Sequence, residues 1–202
     1  MRTLFWPRRQ IPDDSPGADR VAEGGPFGRR ERIVPRRRAL YRRFDLDSVP
    51  AGRRADSLAL RLEAWRPLDS ARYWIGWQGG TAHVWAWSGE ATTATQAARD
   101  AEMPESALHA PLSAGCRLVE LIDGFEGQCW DQGRLRFSRW WADEPDDDQW
   151  RHFMRAAGRV PDSPPPEAER LPWQGRPWAR SSAPVGAWLQ SNERQLVIIA
   201  AS

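Results

Sequence analysis

The stretch Met103–Trp141, MPESALHAPLSAGCRLVELIDGFEGQCWDQGRLRFSRWW, decides the architecture. Three strand-like runs, Arg117–Ile122, Gly127–Trp130 and Arg134–Trp141, are separated by two tight-turn signals, Asp123-Gly124 and Gln132-Gly133. Glycine accepts the positive φ that two-residue hairpin turns demand, so the spacing predicts an antiparallel meander over 117–141. In the third run Leu135, Phe137 and Trp141 alternate with Arg134, Arg136, Ser138 and Trp140, as in a sheet with one wet face. The stretch lacks a constellation of His, Cys, Ser and carboxylates fit for chemistry. It points to a scaffold or binding domain rather than an enzyme.

Outward from the meander the pattern stays mixed. Downstream, Pro145 and the acids Asp146, Asp147 and Asp148 open a helix over about 146–157, where the helix dipole favours anions. Trp150, Phe153, Met154 and Ala157 form its apolar stripe, and Gly158 suits the C′ position. Upstream, Arg72–Gln78 and Thr81–Trp87 flank Gly79-Gly80, a hairpin over 72–87 with Trp on both faces. Before it, Ala55, Leu58, Leu62 and Trp65 recur at helical spacing, giving a helix near 51–66 with Ser48 as its N-cap and Pro67 as its stop. Leu40, Phe44 and Leu46 read as a short edge strand, and Thr92–Asp100 as a weakly amphipathic helix. The expected fold class is therefore α/β (α+β) with a mainly antiparallel sheet. The expected organisation is an Arg/Pro-rich flexible arm (1–38), a globular domain (39–158), and a Pro/Trp-rich strap (159–202) ending in the apolar QLVIIAAS. That ending reads either as a final strand or as the start of a transmembrane helix.

The chain has 202 residues, a formal net charge of +2 and 41% hydrophobic residues, enough for a core but not for a membrane protein. All 29 basic residues are Arg, which together with abundant Ala, Gly, Pro and Trp is the imprint of a GC-rich genome. Up to Arg54, fourteen Arg stand against seven carboxylates, so positive charge collects at the front. The front also lacks the apolar core of a signal peptide. Registering the hairpin on Asp123-Gly124 sets Cys129 opposite Leu118 rather than Cys116. The two cysteines then read as reduced thiols, which suits a cytoplasm.

Each candidate for chemistry has a plainer reading. Asp143, Glu144, Asp146, Asp147 and Asp148 are better placed to cap a helix than to bind a cation. His83, His109 and His152 are scattered, with no partner at metal spacing. The glycines around Gly24–Gly28 lack the Gly-Lys-Ser/Thr ending of a phosphate loop. Ser106 and Ser138 have no base nearby in sequence. No catalytic residue, metal ligand or cofactor is expected. Most of the thirteen Trp sit at core spacing. Trp140, Trp173 and Trp178, with Arg36, Arg37 and Arg38 of the basic front, are the residues expected to meet a partner.

The order of elements carries a resemblance. A helix with Leu62-Glu63, a hairpin, a variable segment and Met103-Pro104-Glu105-Ser106-Ala107-Leu108 before a sheet resembles the cytoplasmic domain of the GspL component of type II secretion. It is also similar to the PilM-type platform proteins of type IV pili. The resemblance covers about Leu46–Trp141. It implies a reduced actin-like domain at the cytoplasmic face of a bacterial inner membrane. An assembly ATPase or another platform component would be the protein partner, homodimerisation is open to it, and a membrane anchor would follow Ser202. In this chain an Arg/Pro arm replaces the family's N-terminal strand pair and the nucleotide loops are not recognisable. The implied role is a nucleotide-independent scaffold. The alternative is a nucleic-acid-binding protein that uses its Arg-rich arm.

Overall fold

A computed structural model describes residues 8–11, 20–22, 30–89, 100–161 and 163–181. At 8–11, 20–22, 30–31, 100–101 and 181 it describes the backbone alone. The expected mixed class with mainly antiparallel sheet is found. The single body expected over 39–158 is instead two compact units: Met1–Ala39 with Thr92–Trp178, and Leu40–Ala91 with Ala179–Ser202.

In the first unit the meander is β8 (Gly115–Leu121), β9 (Gly124–Asp131) and β10 (Arg134–Trp141), antiparallel throughout. Both central residues of the second turn, Gln132 and Gly133, take positive φ (52° and 71°), the primed geometry that matches strand twist. The first turn differs from expectation. Leu121 pairs with Gly124, so Ile122-Asp123 form the corner and Gly124 (φ 96°) opens β9. This moves each pairing by two residues and sets Cys116 opposite Cys129, where they form a disulfide. Tertiary bonds hold the corner there: the Ile122 amide donates to Glu105 Oε1 at 2.9 Å, and Trp140 Nε1 donates to the Asp123 carbonyl at 2.7 Å. A Cβ at Gly124 would stand 2.3 Å from the Trp141 carbonyl oxygen, so only glycine fits. The reading of reduced thiols is thereby corrected, and with it the argument from thiols to a cytoplasm.

Helix α2 (Asp147–Ala156) lies on one face of the meander. Its Trp150 and Phe153 pack with Leu118, Cys129 and Trp141. Gly127 permits the approach, since a Cβ there would stand 2.9 Å from the Phe153 ring. Asp146 is the N-cap and forms a capping box with Gln149. Gly158 (φ 70°) closes the helix, with the Arg159 amide donating to the Met154 carbonyl as in a Schellman motif. In the strap, β11 (Glu169–Arg170) adds parallel to β8.

Part of the segment expected to be a flexible arm is strand. β1 (Arg8–Ile11), β2 (Arg20–Ala22) and β3 (Arg30–Val34) form a sheet with β7 (Asp100–Pro104) in the order β2-β1-β3-β7. Ile33 and Val34 are buried and pair with Met103 and Pro104. Two apolar residues among arginines give no local period, and their partner strand lies far away in sequence. The helix expected over Thr92–Asp100 falls outside the described residues except for Asp100, which begins β7. The apolar ending Gln195–Ser202 lies outside them altogether.

In the second unit β5 (Ala71–Gln78) and β6 (Thr81–Ser88) form the expected hairpin, and β4 (Leu40–Asp45) is the expected edge strand. α1 (Arg54–Trp65) covers one face, where Leu58 and Leu62 meet Phe44, Leu46, Ile75, Ala82 and Val84. Ser48 does not cap it. A 3₁₀ turn over Ala51–Arg53 intervenes, and the N-cap residue is Arg53, without a side-chain cap. Trp74, His83 and Trp85 are buried on the other face. Trp74 and Trp85 meet edge to face at 5.2 Å, and Tyr41 Oη lies 2.8 Å from His83 Nδ1. β12 (Arg180–Ser181) completes this sheet beside β5.

Candidate functional site

The meander's face opposite α2 is a buried layer of charge. Alternation along β9 sends Glu126, Gln128 and Trp130 to this side, and β8 and β10 add Arg117 and Ser138. Arg36 Nε meets Glu126 Oε1 at 2.8 Å, and Ser138 Oγ donates to the same oxygen. Gln128 Nε2 donates to Glu126 Oε2 at 2.8 Å. The Gln128 amide oxygen accepts from Arg117 Nε and Nη2 at 3.0 and 2.8 Å, and from Trp130 Nε1 at 3.1 Å. Burial pushes the Glu126 carboxyl up, but Arg36 and the bonds from Ser138 and Gln128 outweigh it, so it is held below the usual carboxylate range. Burial lowers Arg117. Arg36, expected on a partner surface, is 8% exposed and locked to Glu126, so that expectation is corrected. A guanidinium at this depth needs a carboxylate partner, and Glu126 supplies one.

Under the layer's edge lies the segment after β7. Glu105–Leu108 form a 3₁₀ turn in which every residue is buried. Burial pushes the Glu105 carboxyl up to about 8; the Ile122 N–H opposes this and Glu126 reinforces it. Glu105 therefore carries its proton at neutral pH. Its Oε2, Ser106 Oγ and His109 Nδ1 make no hydrogen bond to the protein. Burial pulls His109 down to about 4, with Glu126 opposing. The strap clamps the turn from outside: the amides of Gln174 and Trp178 donate to the carbonyls of Leu108 and Ala107, and Trp178 Nε1 donates to the Ser106 carbonyl at 3.0 Å.

The same bonds build one surface feature, the β8–β9 corner. Ile122 is 37% exposed, a large aliphatic side chain at the surface. Half-buried Trp140 is tied by its N–H to the Asp123 carbonyl. Arg37, 46% exposed, reaches Asp123 Oδ2 at 3.0 Å. An aromatic ring, a guanidinium and an aliphatic side chain are thus gathered around one turn, and two of them are held by bonds to it.

Of the six residues expected to meet a partner, the structure brings Trp140 and Arg37 together at this corner. Arg38 is exposed on the 3₁₀ turn Arg36–Arg38. Trp173 is half-buried in the strap, and Trp178 is folded edge to face on Trp130 at 5.1 Å. Sequence reasoning missed Ile122, Asp123, Glu105 and the Arg36–Glu126 pair. The signal for the pair was Glu126, Gln128 and Trp130 repeating at period two inside a strand. The signal for the corner was an apolar Ile122 directly before Asp123-Gly124. Among the described residues no group of three or more His, Cys, Asp or Glu is placed to hold a metal ion. His83 is buried, and burial with Arg43 lowers it to about 3. His152 is exposed on α2.

No protein-family model matches the chain, and no curated protein sequence matches it. Among solved structures, it is similar to a Bacteroides thetaiotaomicron protein of unknown function with an actin-like ATPase fold. The TM-score is 0.40 and the identity 9%, over 64% of this chain and 54% of that one. The chain thus spans about half the length of that structure. A likeness at this level assigns neither fold family nor function.

Proposed function

We propose that this chain is a non-enzymatic scaffold domain of a bacterial inner-membrane secretion or pilus assembly platform. It binds an assembly ATPase or another platform component at the cytoplasmic face. The reduced actin-like character and the platform assignment come from the resemblance of element order around Leu62-Glu63 and Met103–Leu108. The observation that carries the binding role is the β8–β9 corner. Trp140, by a hydrogen bond, and Arg37, by an ion pair, are held at the surface beside exposed Ile122. Aromatic and Arg side chains dominate binding hot spots, and holding them in place before binding lowers the ordering cost. The alternative use of the Arg-rich front for nucleic acid loses Arg36, which is locked to Glu126.

The test is capture of platform components from extract of the source cell by wild type and by Ile122→Arg. The variant changes an exposed side chain and leaves the Trp140 and Glu105 bonds in place. Wild type should retain a platform component, and the variant should retain at least tenfold less, the loss of one hot-spot contact of about 1.4 kcal/mol or more. Retention of no such component by wild type would sink the platform reading. Equal retention by the variant, at unchanged melting temperature, would move the site away from the corner.

A further inference from the structure

Cys116 and Cys129 are direct register partners on β8 and β9, and neither is free. Their surroundings differ. Cys129 is 1% exposed and packs among Leu118, Trp141, Trp150 and Phe153, so it touches the cluster that seats α2. Cys116 is half-buried at the margin of that cluster, one residue from the start of β8. The bridge closes a loop of sequence separation 13 that contains the corner. The two ends of the hairpin are therefore held by different means. Glu105 and Trp140 hold the corner, and the disulfide holds the open end under α2.

We propose that the Cys116–Cys129 bridge is a redox-responsive clamp that sets how firmly α2 is held on the meander, and that dithiols open it through Cys116. The chemistry is thiol–disulfide exchange. A thiolate of the dithiol attacks Sγ of Cys116, the less buried of the two residues, forming a mixed disulfide and expelling Cys129 as thiolate. The second thiol of the reagent then attacks the mixed disulfide and releases Cys116. The reagent becomes a cyclic disulfide, and two electrons and two protons pass to the protein as two thiols. Expulsion of Cys129 into an apolar cluster disfavours its thiolate. A monothiol, whose mixed disulfide is readily displaced by the returning Cys129, opens the bridge less well than a dithiol. Once reduced, two unbonded sulfurs need more room than a bridge between the same strands. The strain falls on the open end of the hairpin and on the α2 residues packed there, not on the corner. The clamp does not depend on the docking role of the corner.

The experiment reads the full chain, purified without reductant, by alkylation and intact mass, thermal melting, and amide exchange before and after dithiothreitol. Alkylated in denaturant, the unreduced protein should take up no reagent, and the reduced protein two equivalents. Melting temperature should fall by roughly 6–12 °C, the effect of opening a loop of this length in a chain of this size. Exchange should rise in Gly115–Leu118 and across α2 while the corner stays protected. Cys116→Ser leaves the buried Cys129 in place. In buffer without reductant it should melt like reduced wild type and ignore dithiothreitol. Two free thiols in the unreduced protein would overturn the proposal. So would a change on reduction within about 2 °C, well below the entropic expectation for such a bridge, or exchange that rises at the corner instead. Should the variant not fold, the wild-type measurements decide by themselves.

Discussion

Glu105 is neutral at pH 7 because burial penalises its charged form more than the Ile122 N–H rewards it. Its folded pKa, about 8, lies well above the ordinary glutamate value. The folded state therefore keeps a proton that the unfolded chain releases. The stability this confers is complete below the unfolded pKa and is lost as pH rises through the folded one. His83 and His109 act in the opposite sense. Their folded values, about 3 and about 4, lie below 6.5, so their contribution is present above 6.5 and lost as pH falls. Glu126, held low chiefly by Arg36 against its burial, adds to the loss in acid. The urea midpoint should accordingly peak near 6.5, the ordinary histidine value, and decline toward the Glu105 value of about 8. Glu105→Gln keeps an acceptor for the Ile122 amide and removes the titrating group, so its decline above the peak should vanish. A variant that declines as steeply as wild type would show that Glu105 does not hold its proton in the folded state.

At the scale of elements, local signals succeeded where the chemistry is local. Gly79 and Gln132-Gly133 adopt the positive φ that hairpin turns require, and both hairpins stand where those residues place them. Asp146 caps α2 and Gly158 ends it. Asp146→Ala should lower stability by about 1 kcal/mol, the usual worth of a capping side chain. Urea unfolding checks this, and Asp146→Asn should recover most of the loss because its side-chain oxygen still accepts from the Gln149 amide. The same local logic failed at Asp123-Gly124. The dipeptide is a good hairpin turn by itself, yet Glu105 and Trp140 bind the backbone of Ile122 and Asp123 and pull the corner one residue back. That single displacement pairs the cysteines and exposes Ile122. The bulge between Leu135 and Phe137 on the edge strand β10 had no local signal either, although it breaks the regular pairing that would invite another chain.

At the scale of the whole molecule, the chain leaves and re-enters its units at Ala39/Leu40, Ala91/Thr92 and Trp178/Ala179. The second unit is completed only by a segment about a hundred residues downstream of its hairpin. Ala179 is fully buried, and a Cβ at Gly76 would stand 2.6 Å from its own. Ala179→Asp would bury an unpaired carboxylate there and should lower stability by roughly 3 kcal/mol or more, read as an earlier denaturant transition. Ala179→Gly should cost far less. The strand character of Arg30–Val34 has the same origin, since Ile33 and Val34 become a core pair only beside Met103 and Pro104 of β7. By itself the sequence determined the meander, the hairpin, both helices and the edge strand, because their periodicity, caps and turns are written in neighbouring residues. The tertiary structure alone decided the corner's register, the disulfide, the strand status of the basic front and the burial of Arg36 against Glu126. Each of these depends on the free energy of pairing groups tens of residues apart, which no local pattern records.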